Sequence, residues 1–220
     1  MHVMDSDAIY LSLKLAIWTL VLLLPFGILA ARYLLNAGVI KPFIEATLAL
    51  PLVLPPTVLG YYLLVGLGGK TIFGIPLVFS FTGILIASLI VNLPFAIQPI
   101  QRAFEAINPE IREAAQVSGL SNWQVFRLIE FPLAWRGITS AAVLTFAHTL
   151  GEFGVILMVG GAIPGETKTV SIAIYDKVQS FDTAGAGTLS LILLGTSLIA
   201  IAISYGLFGR NPSRGKGWRS

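Results

Sequence analysis

Five long apolar runs, separated by short polar segments, dominate the chain. They cover approximately residues 8–31, 43–67, 79–103, 133–159 and 186–208. A helix needs roughly 20 mainly apolar residues to cross the hydrocarbon core of a bilayer. The pattern therefore predicts an all-α integral membrane protein, in which residues 8–208 form one domain with five transmembrane helices.

The second apolar run contains residues that disrupt a helix: Pro51, Pro55, Pro56 and Gly60. Proline removes a backbone donor and clashes with the preceding turn, so a helix here must kink or break. A membrane tolerates such a break only beside protein or a water-filled cavity. Two interpretations remain, a kinked packing helix and a helix that shapes a translocation path, and we favour the second.

One polar segment, residues 108–132, interrupts this apolar pattern between the third and fourth runs. Asn108 is a good N-cap, and Pro109 follows at the first helical position, where its missing N–H is harmless. Gly119 can adopt the left-handed conformation that ends a helix. The segment is therefore predicted to begin with a short, capped helix.

A second short helix is predicted directly after Gly119. Ser121 and Gln124 have the spacing of a capping box, and Pro132 is expected to stop this helix before the fourth run. The segment thus has a helix–turn–helix-like pattern. DNA binding would require a basic face, whereas residues 102–136 contain four arginines and four glutamates. We therefore predict no nucleic-acid partner.

Composition supports a membrane protein and limits the available chemistry. The chain is 55% hydrophobic and 11% charged, whereas soluble domains carry about 25% charged residues. It has no cysteine, which excludes disulfides and thiolate sites. The stretch Gly66–Thr71 is not a phosphate-binding loop, because that pattern requires a glycine where this chain has Leu64.

The spacing within the polar segment resembles the EAA loop of binding-protein-dependent ABC importer permeases. The matching positions, which the resemblance implies contact the ATPase, are Glu113, Ala114, Ala115, Gly119, Ile129 and Pro132. The resemblance implies the type I permease fold, with 108–132 as a cytoplasmic coupling loop. It also implies a second copy of the chain, two cytoplasmic ABC ATPase subunits and an extracytoplasmic oxyanion-binding protein. The chain itself would then be neither an enzyme nor a cofactor-binding protein.

Three further segments, residues 50–61, 150–154 and 163–169, resemble the molybdate-type members of this family. The resemblance implies import of molybdate, with tungstate as a near twin, by alternating access. Sulfate-type permeases share Gly151–Gly154, so a sulfate or thiosulfate permease is the alternative. A membrane-tethered regulator or a membrane enzyme is a remote alternative.

The positive charges predict the orientation in a prokaryotic inner membrane, because Lys and Arg concentrate in cytoplasmic connections. With the polar segment inside, ten positive residues lie inside and three lie outside. The N-terminus is then outside, and the C-terminus, with the basic tail 209–220, is cytoplasmic.

One proline and six polar residues within the apolar runs are candidates for lining the path. They are Pro55, Thr57, Ser88, Asn92, Thr145, Thr149 and Glu152. His148 and Glu152 share a helical face, which would suit a proton relay or part of a metal site. Two ligands do not make a closed metal site, so we predict no metal and favour a buried contact or a gate.

Overall fold

The computed structural model describes residues 3–72 and 74–208, and most of them are helical. The helices are α1 (Val3–Leu34), α2 (Lys41–Val53), α3 (Pro56–Leu67), α4 (Phe81–Glu105), α5 (Pro109–Val117), α6 (Asn122–Val125), α7 (Phe131–Gly151), α8 (Gly154–Gly160), α9 (Val170–Gln179) and α10 (Thr183–Phe208). A short antiparallel hairpin, β1 (Thr71–Ile72) and β2 (Ile75–Pro76), pairs Thr71 with Pro76. The tail 209–220 lies outside the described residues.

Helices α1, α4 and α7 pack on one another and form the centre of the protein. Where α4 crosses α7, Gly137 lies so close to α4 that a Cβ would overlap the Ala103 side chain and lie 2.8 Å from the Pro99 carbonyl oxygen. Small residues let helix backbones approach closely in a membrane. An apolar core that includes Leu34, Phe104 and Ile138 fills the space around the C-terminal ends of α1 and α4.

Three continuous helices, α1, α4 and α10, are long and apolar enough to cross a membrane. The remaining apolar runs form two bent pairs, each of which has the length and composition of one span. Only 11% of the apolar stretch of α10 is buried within the protein, compared with 56% for α4. Helix α10 therefore presents most of its apolar surface outward, as a helix in lipid does.

The second predicted run is broken, not merely kinked. Helices α2 and α3 meet at 108°, because Leu54 and Pro55 adopt extended backbone conformations between them. Pro56 then starts α3 at a position where the missing N–H costs nothing. The prolines thus disrupt the helix as the sequence predicted, and the result is a complete break instead of a kink.

The fourth run has a second break that the sequence analysis did not predict. Helix α7 ends at Gly151, and α8 leaves it at 60° after extended Glu152. Helices α3 and α8, which follow the two breaks, pack against each other. A Cβ at Gly154 would lie 2.8 Å from Pro56, and a Cβ at Gly60 would lie 2.8 Å from Met158. Both glycines therefore permit the close contact of α3 with α8.

The prediction that Pro132 stops the second short helix is wrong. Helix α6 continues through a π-helical turn, Phe126–Glu130, directly into α7. In this wide turn the Phe131 N–H donates to the Phe126 carbonyl. Pro132 therefore lies at the start of α7, where a helix tolerates proline, instead of at the end of α6. The polar segment is consequently continuous with the central helix α7.

Candidate functional site

Helix α5 is a short helix with well-formed ends. The Asn108 side chain accepts a hydrogen bond from the Glu110 N–H at 3.0 Å, as an N-cap should. At the other end, Gly119 has a φ of +85°. The Gly119 and Leu120 N–H groups donate to the carbonyls of Gln116 and Ala115, which is the Schellman pattern. The sequence prediction for this helix is thus confirmed at both ends.

Helix α6 starts with the predicted capping box. The Ser121 side chain accepts from the Gln124 N–H at 3.3 Å, and the Gln124 side chain accepts from the Ser121 N–H at 2.8 Å. Only two residues, Leu120 and Ser121, separate the sharp turn at Gly119 from α6. The local chemistry therefore fixes the angle between the two short helices.

The residues that match the EAA loop are mostly on the surface. Glu113, Ala114, Gly119 and Pro132 are exposed, Ile129 is half-buried, and Ala115 is buried. Beside them, the side chain of Val117 is 90% exposed, and Trp123 and Leu128 are also exposed. Large apolar side chains that are exposed together in this way often mark a site of contact with another protein.

Behind α5, the carboxylate of Glu130 is buried and held by two arginines from different helices. Glu130 is only 4% exposed. Arg32, near the end of α1, donates through Nε to Oε2 at 2.8 Å. Arg112, on α5, donates through Nε to Oε1 at 2.9 Å. We call these three residues the arginine clamp.

Each arginine of the clamp makes a further contact that fixes its direction. Arg32 also donates to the Asn122 carbonyl at 2.9 Å and lies over the Phe126 ring, 4.8 Å from its centroid. Arg112 also donates to the Phe104 carbonyl at the end of α4. Removing one partner of a buried ion pair typically costs about 3–5 kcal/mol. The clamp therefore joins α1, α4, α5 and α7 firmly.

The sequence analysis missed the arginine clamp. Its members are far apart along the chain, and the sequence shows only three ordinary charges at helix ends. The one available signal was Glu130 itself, a carboxylate placed next to an apolar run with no nearby cation in sequence except Arg127. The π-helical turn that directs it inward has no simple sequence signature.

A second charged cluster joins the start of α2 to the end of α4. Lys41 and Glu105 form an ion pair at 2.7 Å, and Gln101 donates to Glu105 at 2.9 Å and to Glu45. A cleft of about 710 Å³ separates this cluster from the arginine clamp. Among its lining residues are Arg32, Lys41, Glu105, Arg112 and Glu130. Most of the charged side chains that line the cleft therefore form ion pairs with one another.

Five of the seven predicted path residues are buried: Ser88, Asn92, Thr145, Thr149 and Glu152. Asn92 donates to the Ser88 carbonyl at 2.8 Å, and its Oδ1 lies 3.1 Å from His148 Nδ1. The Ser88 hydroxyl lies 2.9 Å from that of Thr19 on α1, a residue that the sequence analysis missed. These contacts form a polar network across α1, α4 and α7.

The other polar contacts of the buried path residues lie close to the break between α7 and α8. Thr149 donates to the Thr145 carbonyl at 2.7 Å, and Thr145 Oγ1 is buried with no partner among the described residues. Glu152 accepts from the Val155 N–H at 3.2 Å, and its Oε2 lies 3.8 Å from His148 Nε2. Within residues 3–72 and 74–208 there is no group of three metal-ligating side chains.

Pro55 and Thr57 are separate from this network. Both are exposed at the break between α2 and α3. The seven predicted path residues therefore do not form one continuous surface within a single chain. The buried members make contacts inside the protein, and the exposed members face outward from it.

Family comparison places this geometry in a known context. Residues 23–211 match the model of the family "Binding-protein-dependent transport system inner membrane component". The chain belongs to this family. It is accordingly a multi-pass inner membrane protein, a transport permease and not an enzyme, and a component of a system that uses a binding protein.

Individual relatives and structures agree with the family assignment. A molybdenum transport system permease protein of Azotobacter vinelandii is 45% identical, over 84% of this chain and 86% of the relative. A sulfate transport system permease protein of Escherichia coli is 29% identical, over 73% of this chain and 61% of the relative. A bacterial alginate ABC transporter, solved with a periplasmic protein bound, superimposes with a TM-score of 0.75 at 17% identity, covering 91% of this chain and 77% of that one. This last likeness confirms the fold.

Among the path candidates Thr57 is exposed and Thr145 is buried, so we predict that thiols at these two positions differ in labelling. Since the chain has no cysteine, Thr57→Cys and Thr145→Cys each introduce a unique thiol. In the reconstituted transporter, we expect Thr57→Cys to react with a charged maleimide and Thr145→Cys to remain unlabelled until the protein is denatured. An unreactive Thr57→Cys would show that lipid or another chain of the transporter covers the α2–α3 break. A rapidly labelled Thr145→Cys would contradict the burial of α7 within the protein.

Proposed function

We propose that this chain is the membrane-spanning permease subunit of an ATP-driven importer for molybdate, with tungstate as a chemically similar substrate. The identity of 45% with a molybdenum permease, across most of both chains, carries this proposal. The sulfate permease is less similar and matches a smaller part of its own length. Sulfate or thiosulfate is therefore the second candidate.

The surface of α5 supports docking of an ATPase subunit. Glu113, Ala114 and Val117 are exposed there, and the small alanine permits close approach of another surface. The helix is held at both ends by its caps and from behind by the arginine clamp. A rigid, exposed helix loses little conformational entropy when it binds a partner. We propose that two chains form a homodimer and that each docks one cytoplasmic ATPase subunit.

In this proposal the polar segment 108–132, called the docking segment below, lies in the cytoplasm, and α9 lies on the opposite side of the membrane. The count of Lys and Arg supports this orientation, because ten lie on the side of α5 and three on the opposite side. An extracytoplasmic binding protein would deliver the anion on the α9 side. When ATP brings the two ATPase subunits together, the docking segments would follow, and the helices would rock between inward-facing and outward-facing states.

The charge pattern supports passage of an anion without tight binding. The sequence has no Lys or Arg at positions 42–69, 71–101, 137–167 or 178–209. A conducting path must bind its substrate weakly enough to release it. Hydroxyl and amide donors such as Thr57 and Asn92 would contact oxyanion oxygens without trapping them. Selectivity would then reside mainly in the binding protein.

The substrate proposal predicts the result of a competition experiment. In vesicles that contain the permease with its ATPase and binding protein, we expect ATP-dependent uptake of labelled molybdate. Excess tungstate should suppress this uptake strongly, because it is a tetrahedral dianion of nearly the same size, and excess sulfate should have little effect. Preferential uptake of sulfate would contradict the proposal and favour the second candidate.

The docking proposal predicts that Glu113→Arg abolishes association with the ATPase. Bringing like charges together in a protein contact costs several kcal/mol, and about 3 kcal/mol corresponds to a loss of roughly 100-fold in affinity. The measurement is co-purification of the ATPase with the solubilised permease. Glu166→Arg is the matched control, since Glu166 is an exposed glutamate in the α8–α9 connection. Normal association of Glu113→Arg would show that α5 is not the docking site.

A further inference from the structure

We propose that α1 transmits the movement of the docking segment across the membrane and that Arg32 is the positioning residue which joins it to that segment. This inference rests on the proposed function, because it assumes that an ATPase moves α5. It assigns a mechanical role to residues outside the EAA-like spacing. Arg32 lies 98 residues from Glu130 along the chain, so no local sequence pattern connects them.

The geometry of the clamp makes Glu130 a shared joint. Its two oxygens are used separately, one by Arg32 from α1 and the other by Arg112 from α5. Since Glu130 also belongs to the π-helical turn that leads into α7, three elements meet at one buried carboxylate. A displacement of α5 therefore reaches α1 through the Glu130 carboxylate, and not only through the chain connection to α7.

The contacts of Arg32 fix the orientation of its guanidinium group as well as its distance from Glu130. It donates to the Asn122 carbonyl at the start of α6, in addition to Glu130. Its guanidinium also lies on the face of Phe126. Planar guanidinium groups that bond and stack at once hold a fixed orientation, which a lysine could not reproduce. The end of α1 is thus tied to both parts of the segment that follows α5.

The opposite end of α1 is bonded to α9. Ser12 Oγ accepts a hydrogen bond from the Val170 N–H at 2.8 Å, at the first residue of α9. Asp5 forms an ion pair with Lys177 of α9 at 3.4 Å. Helix α1, which connects these contacts to Arg32, has 32 residues and is unbroken despite Pro25. At 1.5 Å per residue it spans about 48 Å, enough to connect the two faces of a bilayer.

Two of the routes between the two ends are interrupted: α2 and α3 by a bend of 108°, and α7 and α8 by a bend of 60°. A bent pair can absorb displacement at its break, whereas a continuous helix tied at both ends conveys it. Helix α4 is also continuous and accepts a hydrogen bond from Arg112 at the Phe104 carbonyl. Helix α1 differs in being bonded to α9 at its other end, through Ser12 and Asp5. It is therefore a continuous connection from the docking segment to α9.

The test is the ratio of molybdate transported to ATP hydrolysed in proteoliposomes. We expect Arg32→Gln to retain the ATPase on co-purification and to hydrolyse ATP, while transport per ATP falls about tenfold. A residue with a purely structural role would lower both activities together. Arg136→Gln, which removes an exposed arginine on α7 that forms no ion pair among the described residues, should keep the wild-type ratio.

Three results would overturn the inference: an unchanged ratio in Arg32→Gln, loss of the ATPase from that variant, or an equal fall in transport and hydrolysis. If Arg32→Gln does not accumulate in the membrane, Arg32→Lys decides the question. It keeps the charge but loses the stacked, two-acceptor geometry, so its ratio should still fall, and a wild-type ratio would overturn the inference. Failure of the proposed function itself would be visible separately, as absence of transport by the wild-type complex.

Discussion

A single buried carboxylate organises the end of this protein that carries the docking segment. Glu130 cannot be buried as an ion without compensation, because desolvation of an unpaired charge is costly. Arg32 and Arg112 provide that compensation from two other helices. Glu130 is also the last residue of the π-helical turn Phe126–Glu130, a rare element that often marks functional sites.

Different interactions hold the two halves of the protein together. Around the clamp, charged side chains and an apolar core join α1, α4, α5 and α7. Beyond the breaks at Pro55 and Glu152, the short helices α3 and α8 pack through glycines that allow close backbone contact. One end of the bundle is thus firmly held, and two of its spans are interrupted. Such a combination suits an alternating-access mechanism, in which a rigid part moves relative to the rest.

Local chemistry could be predicted from the sequence, and long-range contacts could not. The caps at Asn108, Gly119 and Ser121 depend on neighbouring residues, and the structure confirms them. Pro132 was misassigned because its role depends on a π-helical turn that has no clear pattern. The clamp and the Asn92 network join residues tens of positions apart, so only the fold reveals them. Which face of the α2–α3 break meets water depends on the assembly, not on one chain.

The most direct test of the central claim is a distance measurement by paired spin labels. Arg127, in the docking segment but outside the α5 surface, and Tyr10, near the other end of α1, are both exposed, and the native chain has no competing cysteine. Two samples are compared: complexes with one chain labelled at both positions, and complexes with each chain labelled at position 127 alone. We predict that ATP leaves the distance between positions 127 and 10 within one chain unchanged while the distance between the two position-127 labels shortens. A nucleotide-dependent change in the distance within one chain would show that α1 does not move with the docking segment.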